Sequence, residues 1–86
     1  MTEKEIYEKL NELQLYPEYV HVHSDLSVIE VGITWDDWKH EHRRLDYAME
    51  SNFSALPYKI VVNEKDSSDC FSATHYYVTE EEIENE

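Results

Sequence analysis

The strongest constraint on the fold is the order in which the hydrophobic period changes along the chain. A helical stripe comes first: Ile6, Leu10 and Leu13 recur at i, i+4 and i+7. The period then drops to two between Tyr19 and Ile33, returns to three and four over Trp35–Met49, and drops to two again between Tyr58 and Val78. This succession predicts α-β-β-α-β-β. The simplest packing is an α+β domain, a four-stranded, mostly antiparallel sheet with both helices on one face. The other sheet face is then left partly open.

Local signals refine each element. Thr2 is a good N-cap, and Glu5 three residues on completes a capping box, so a helix is predicted over 2–14. Tyr16-Pro17 is expected to end it, because the residue before Pro is pushed toward extended geometry. A hairpin is predicted over 19–33, with Ser24-Asp25 as a two-residue turn. That register places Val20 opposite Ile29. Val20, Val22, Ile29, Val31 and Ile33 then face the core, and His21, His23, Leu26, Val28 and Glu30 face away. Gly32, the single glycine, marks a bulge or a close contact. A second helix is predicted over 35–50, with Thr34 as N-cap and Asp36 and Asp37 in the first turn, where the helix dipole favours negative charge. Trp35, Trp38, His42, Leu45, Ala48 and Met49 form its stripe. A second hairpin is predicted over 57–79, opened by Pro57, with a polar loop from Asn63 to Asp69. The domain is expected to span 1–79. The tail 80–86 holds five Glu in seven residues and is expected to be frayed.

Composition decides whether such a chain folds and what it can bind. The 86 residues carry a net charge of -13, from 20 acidic and 7 basic side chains. With a mean hydropathy of -0.73 this leans toward disorder. Seven Tyr, two Trp and two Phe in a patterned chain argue instead for a folded domain. Its negative field excludes direct binding to the phosphate backbone of nucleic acid. There is no signal peptide or bilayer-length apolar run, so no membrane association and a cytoplasmic location are expected. One Cys supports no internal disulfide and no cysteine zinc cluster.

Candidate chemistry is sparse. His21 and His23 share a strand face and with Glu30 offer a divalent-metal reading, but no standard ligand spacing is present, and exposed strand histidines are the simpler account. His40 and His42 point in different directions on a helix. Cys70 and His75 are five apart on a strand and face opposite ways, which excludes a simple thiol-base pair. The sequence therefore predicts no enzyme, no catalytic residue, no metal and no cofactor. Trp35 and Trp38 are read as core. Tyr19, Val28 and Tyr76 are expected on the open sheet face, where they suit a protein-interaction or homodimer surface.

The acids are unevenly placed. Asp36, Asp37 and Glu41 cluster on the second helix, Glu64, Asp66 and Asp69 in the second hairpin loop, and Glu80, Glu81 and Glu82 open the tail. Rows of carboxylates can imitate the phosphate charge of nucleic acid, one per roughly 3.4 Å of each strand. Solubilisation is the plainer use of the same charge. In length, acidity and α+β content the chain resembles the small acidic phage-encoded inhibitors of host defence, the anti-CRISPR and anti-restriction proteins of DNA-mimic type. The resemblance is one of overall character, resting on these acidic groups; the segment TWDDWKHEHRR (Thr34 to Arg44) matches no motif of theirs. It implies a non-enzymatic inhibitor that occupies the basic nucleic-acid-binding surface of a nuclease or other DNA-binding protein. The alternative is an interaction or homodimerisation module using the open sheet face.

Overall fold

A computed structural model describes residues 1–64 and 71–83; for 35–39, 63–64 and 71–72 it describes the backbone alone. The order is α1 (Glu3–Glu12), β1 (Tyr19–His23), β2 (Val28–Thr34), α2 (Trp35–Phe53), β3 (Ala55–Glu64) and β4 (Phe71–Thr79). The strands form one antiparallel sheet in the order β1-β2-β4-β3. This is the α+β architecture that the changing periods predict. Ile6 and Leu10 of α1 and Leu45, Ala48, Met49 and Phe53 of α2 share one core with Val20, Ile29, Val31, Ile33, Ala73 and Tyr77 of the sheet. Both helices therefore cover the same face. Among the described residues no helix is long and apolar enough to cross a membrane.

The ends of α1 are set by side chain and backbone in turn. Thr2 Oγ1 accepts the Glu5 N–H at 3.2 Å, as the N-cap reading requires. The C-terminus comes earlier than Pro17 suggests. Gln14 adopts φ 62. Its N–H donates to the Asn11 carbonyl at 3.0 Å, and the Leu15 N–H donates to the Leu10 carbonyl at 2.9 Å. These two bonds make a Schellman motif, with Leu10 and Leu15 both buried beneath it. A glutamine here does what glycine usually does.

The first hairpin keeps the expected faces but not the expected register. Val20 lies opposite Val31 and His21 opposite Glu30, so the turn is the four residues Ser24 to Ser27 rather than Ser24-Asp25. Leu26, expected on the outer face of the strand, falls instead in this longer turn and is exposed. Ser27 takes φ 54, which lets a longer turn close the hairpin. The pairing moved by two residues, and because the pleat has period two, each side chain kept its face.

The helix α2 runs one turn past residue 50, because Phe53 extends the Leu45–Met49 stripe into the core. It ends at Ser54, which takes φ 52 and donates its N–H to the Glu50 carbonyl at 3.0 Å. Trp35 and Trp38, read as core, lie outside the described side chains. Strand β3 begins at Ala55, two residues before Pro57, and its pairing with β4 slips between Pro57 and Lys59, leaving Tyr58 as the extra residue of a bulge.

The C-terminal segment departs from the expected frayed tail. Ile83 is 6% exposed and belongs to the core cluster. The Met1 ammonium donates to the Glu82 carbonyl at 3.0 Å, and Ser54 Oγ donates to Glu81 at 3.2 Å. One apolar side chain amid the acids is enough to hold residues 80–83 against the domain. Residues 84–86 lie outside the described residues.

Candidate binding surfaces

The sheet register determines which acidic segments meet. Thr34 pairs with Ser72, Asn63 with Ser72, and Glu64 with Phe71. The start of α2, with Asp36 and Asp37, therefore emerges at the same end of the sheet as the segment that links β3 to β4. Glu64 is the last residue of β3 at that end. Asp66, Asp69 and Cys70 lie outside the described residues, as do the side chains of Asp36, Asp37 and Glu64. Glu41 is half-buried and pairs with Arg44 one turn on, so its charge is already partly met. Glu80, Glu81 and Glu82 follow Thr79 at the opposite end of β4, roughly 26 Å away for a nine-residue strand. Of the acids singled out in the sequence, Asp36, Asp37 and Glu64 thus fall at one end of the sheet and Glu80, Glu81 and Glu82 at the other.

Positive charge has its own place. Arg43 and Arg44 border a groove of about 310 Å³ against Leu13, Leu15 and Tyr47. Arg44 also donates to the Leu13 carbonyl at 2.7 Å, which ties the end of α1 to α2.

On the open sheet face, the three residues expected to form an interaction patch are largely engaged within the domain. Tyr19, Gly32 and Thr74 lie in one row across β1, β2 and β4. The Tyr19 ring lies over Gly32, where a Cβ would come within 2.1 Å of Tyr19 Cε1. The Tyr19 hydroxyl reaches Thr74 Oγ1 at 2.7 Å. Gly32 is therefore a close contact, one of the two readings its sequence position allowed. Tyr76 is half-buried, with Lys59 Nζ 5.2 Å from its ring centroid. Val28 is half-buried.

His21 and His23 share this face but engage different carboxylates. His23 Nε2 lies 2.6 Å from Glu30 Oε1, and His21 Nδ1 lies 3.3 Å from Glu3 Oε1. The same Glu3 oxygen accepts the Val22 N–H at 3.2 Å. Among the described residues, no three His, Cys, Asp or Glu side chains are grouped to hold a metal ion.

Beneath α2 lies a polar cluster that periodicity alone does not reveal. Tyr77, fully buried, donates its hydroxyl proton to Asp46 Oδ1 at 2.8 Å. Its oxygen lies 2.9 Å from Nδ1 of His75, which is 1% exposed. Because the tyrosine proton goes to the carboxylate, His75 Nδ1 carries a proton and donates to the tyrosine oxygen. Burial holds the His75 imidazole below its usual pKa, opposed by Asp46 and reinforced by His42. Burial and the Asp46 charge push the Tyr77 hydroxyl well above its usual range. These groups face the core and fix the helix to the sheet. The signal was a His at a core-parity position of β4, opposite an acid beside the α2 stripe.

Among the described residues, exposed large apolar side chains are concentrated on β3. Tyr58 is 64% exposed, Leu56 55%, Val62 48% and Ile60 40%, with Val61 and the neighbouring Val78 also exposed. Val61 between Ile60 and Val62 was the sequence signal that this strand carries apolar side chains on both faces. No protein family, curated protein or solved structure matches the chain.

Proposed function

We propose that the protein is a non-enzymatic acidic binding protein whose acidic end occupies the basic nucleic-acid-binding surface of another protein, a nuclease or other DNA-binding protein, as a phage-encoded inhibitor of host defence would. The observation that carries this reading is the sheet register, which ends β2 and β3 beside the start of β4 and so brings Asp36-Asp37 and Glu64 to one end of a chain of net charge -13. Such a field speeds encounter with a basic groove and weakens with salt.

The test is capture of a nucleic-acid-binding protein by the immobilised chain at low salt, followed by competition with duplex DNA. Release by DNA is expected, together with at least a tenfold slower association for a variant carrying Asp36→Lys, Asp37→Lys, Asp66→Lys and Asp69→Lys. A variant that captures the same partner at an unchanged rate overturns the reading. A second reading, a protein-interaction module, is supported by the exposed apolar side chains of β3, the strand at one edge of the sheet.

A further inference from the structure

The two edges of the sheet are built differently. The β1 edge is five residues long, and Glu3 takes up its Val22 N–H. Short edges and edge-facing charges are the usual guards against pairing with another chain. The β3 edge is ten residues long. Its first half carries guards, Pro57 and the bulge at Tyr58. Its second half, Lys59 to Asn63, pairs regularly with β4 and presents Ile60 and Val62 on the helix side and Val61 on the open side. Among the described residues, no side chain or loop hydrogen-bonds to its outer edge.

We propose that this edge pairs with the β3 edge of a second copy of the chain, antiparallel and centred on Val61, to make one continuous eight-stranded sheet. It stands independently of the acidic-end reading. A two-fold axis perpendicular to the sheet keeps both pairs of helices on one side. It sets Ile60 against the partner copy's Val62, Val61 against its own counterpart, and Lys59 against Asn63. Each apolar side chain meets an apolar one, and the single charge between Ala55 and Asn63, Lys59, meets an uncharged amide. Antiparallel pairing also carries the Glu64 positions to opposite ends of the interface. A seam of five residues from each copy belongs to the small end of specific interfaces, below about 1,200 Å² in total. A micromolar dimer is the expected outcome. The self-repulsion of two acidic chains is screened over about 8 Å at physiological ionic strength, so added salt strengthens the pair.

Sedimentation velocity of the full chain at about 0.1 M and about 0.5 M salt measures this directly. A species of twice the 10.3 kDa monomer mass is expected, with a lower dissociation constant at the higher salt. The double variant Ile60→Lys, Val62→Lys should dimerise at least about tenfold more weakly with an unchanged circular dichroism spectrum. In a Cys70→Ser background, Val61→Cys should form an intermolecular disulfide on mild oxidation. Directly opposed residues have Cα atoms about 4.5–5.5 Å apart, within disulfide range. The exposed Tyr47→Cys should form none. A monomer at both salt concentrations overturns the proposal. So does a dimer that keeps its affinity in the Lys variant, or one that fails to crosslink through Val61→Cys.

Discussion

The row Tyr19–Gly32–Thr74 makes a sharp prediction about one missing methyl group. In Gly32→Ala the new Cβ would meet Tyr19 Cε1 at 2.1 Å, whereas carbon atoms rest at about 3.5–4.0 Å. The ring must lift by more than 1 Å, roughly, and the 2.7 Å bond to Thr74 does not survive that. Thr74 is 4% exposed, so its hydroxyl loses a partner that water does not readily replace, at a cost of about 1–3 kcal/mol. Alanine is otherwise the better strand residue by about 0.5–1 kcal/mol. The net expectation is a loss of about 1–2 kcal/mol, or a Tm drop of roughly 5–15 °C for a domain of this size. The decisive measurement is a double-mutant cycle by urea unfolding. With Tyr19→Ala already in place, Gly32→Ala has nothing to strike and should be neutral or slightly stabilising. The interaction energy should be about 2 kcal/mol. A cycle that closes within about 0.5 kcal/mol would refute the account of Gly32 as a seat for the tyrosine ring.

Three further outcomes follow from the same structure. His75 faces Asp46, Tyr77 and His42, and burial depresses its folded pKa below the unfolded value of 6.5; its contribution is complete above about pH 6.5 and is lost as pH falls toward the folded value, because the unfolded chain then binds the extra proton. Tm should therefore fall on acidification below pH 6.5, and the slope should flatten in His75→Gln; an equal slope in the variant removes His75 as the cause. Gln14→Gly places at φ 62 the residue that adopts it without strain, and should raise stability by about 0.5–1 kcal/mol in thermal unfolding; a lower Tm contradicts the Schellman assignment. Ile83→Ala should cost about 2 kcal/mol, and truncation after Thr79 at least as much, whereas a neutral result would show that the segment 80–83 does not pack.

What the sequence revealed and what it hid divide along the distance over which a feature is determined. Thr2 capping Glu5 and the alternation of Val20, Val22, Ile29, Val31 and Ile33 depend on neighbours a few residues away, and both are legible. The hairpin register was legible only modulo two, since a two-residue shift changes the turn and leaves every face intact. The stop at Gln14 was hidden because composition offers no glycine there and Pro17 was the louder signal. The burial of Ile83 was hidden because one apolar residue in an acidic run carries no period. The His75–Tyr77–Asp46 cluster joins residues 31 apart, and the exposure of β3 follows from the strand order β1-β2-β4-β3, which puts the last strand inside and the third outside. No local pattern encodes that exchange.

The acidic charge and the apolar edge also bear on each other. Edge strands are ordinarily guarded by charges on the strand itself, yet β3 between Ala55 and Asn63 carries only Lys59. Beyond Pro57 and the bulge at Tyr58, repulsion from the rest of the molecule is the main guard, and its reach depends on salt. Glu64 is three residues from Val61, about 10 Å along a strand, which exceeds the screening length of roughly 8 Å at physiological ionic strength. The edge is therefore protected in dilute buffer and open to pairing in a cell-like one. Pairing there does not block the acidic end, because the β3 edge runs along the side of the sheet while Asp36, Asp37 and Glu64 sit where strands β2, β3 and β4 meet loop or helix. A two-fold about Val61 points the two acidic ends in opposite directions. Each copy then keeps a free end for a basic partner, and dimer formation and partner binding should change independently when Val62 or Asp36 is substituted.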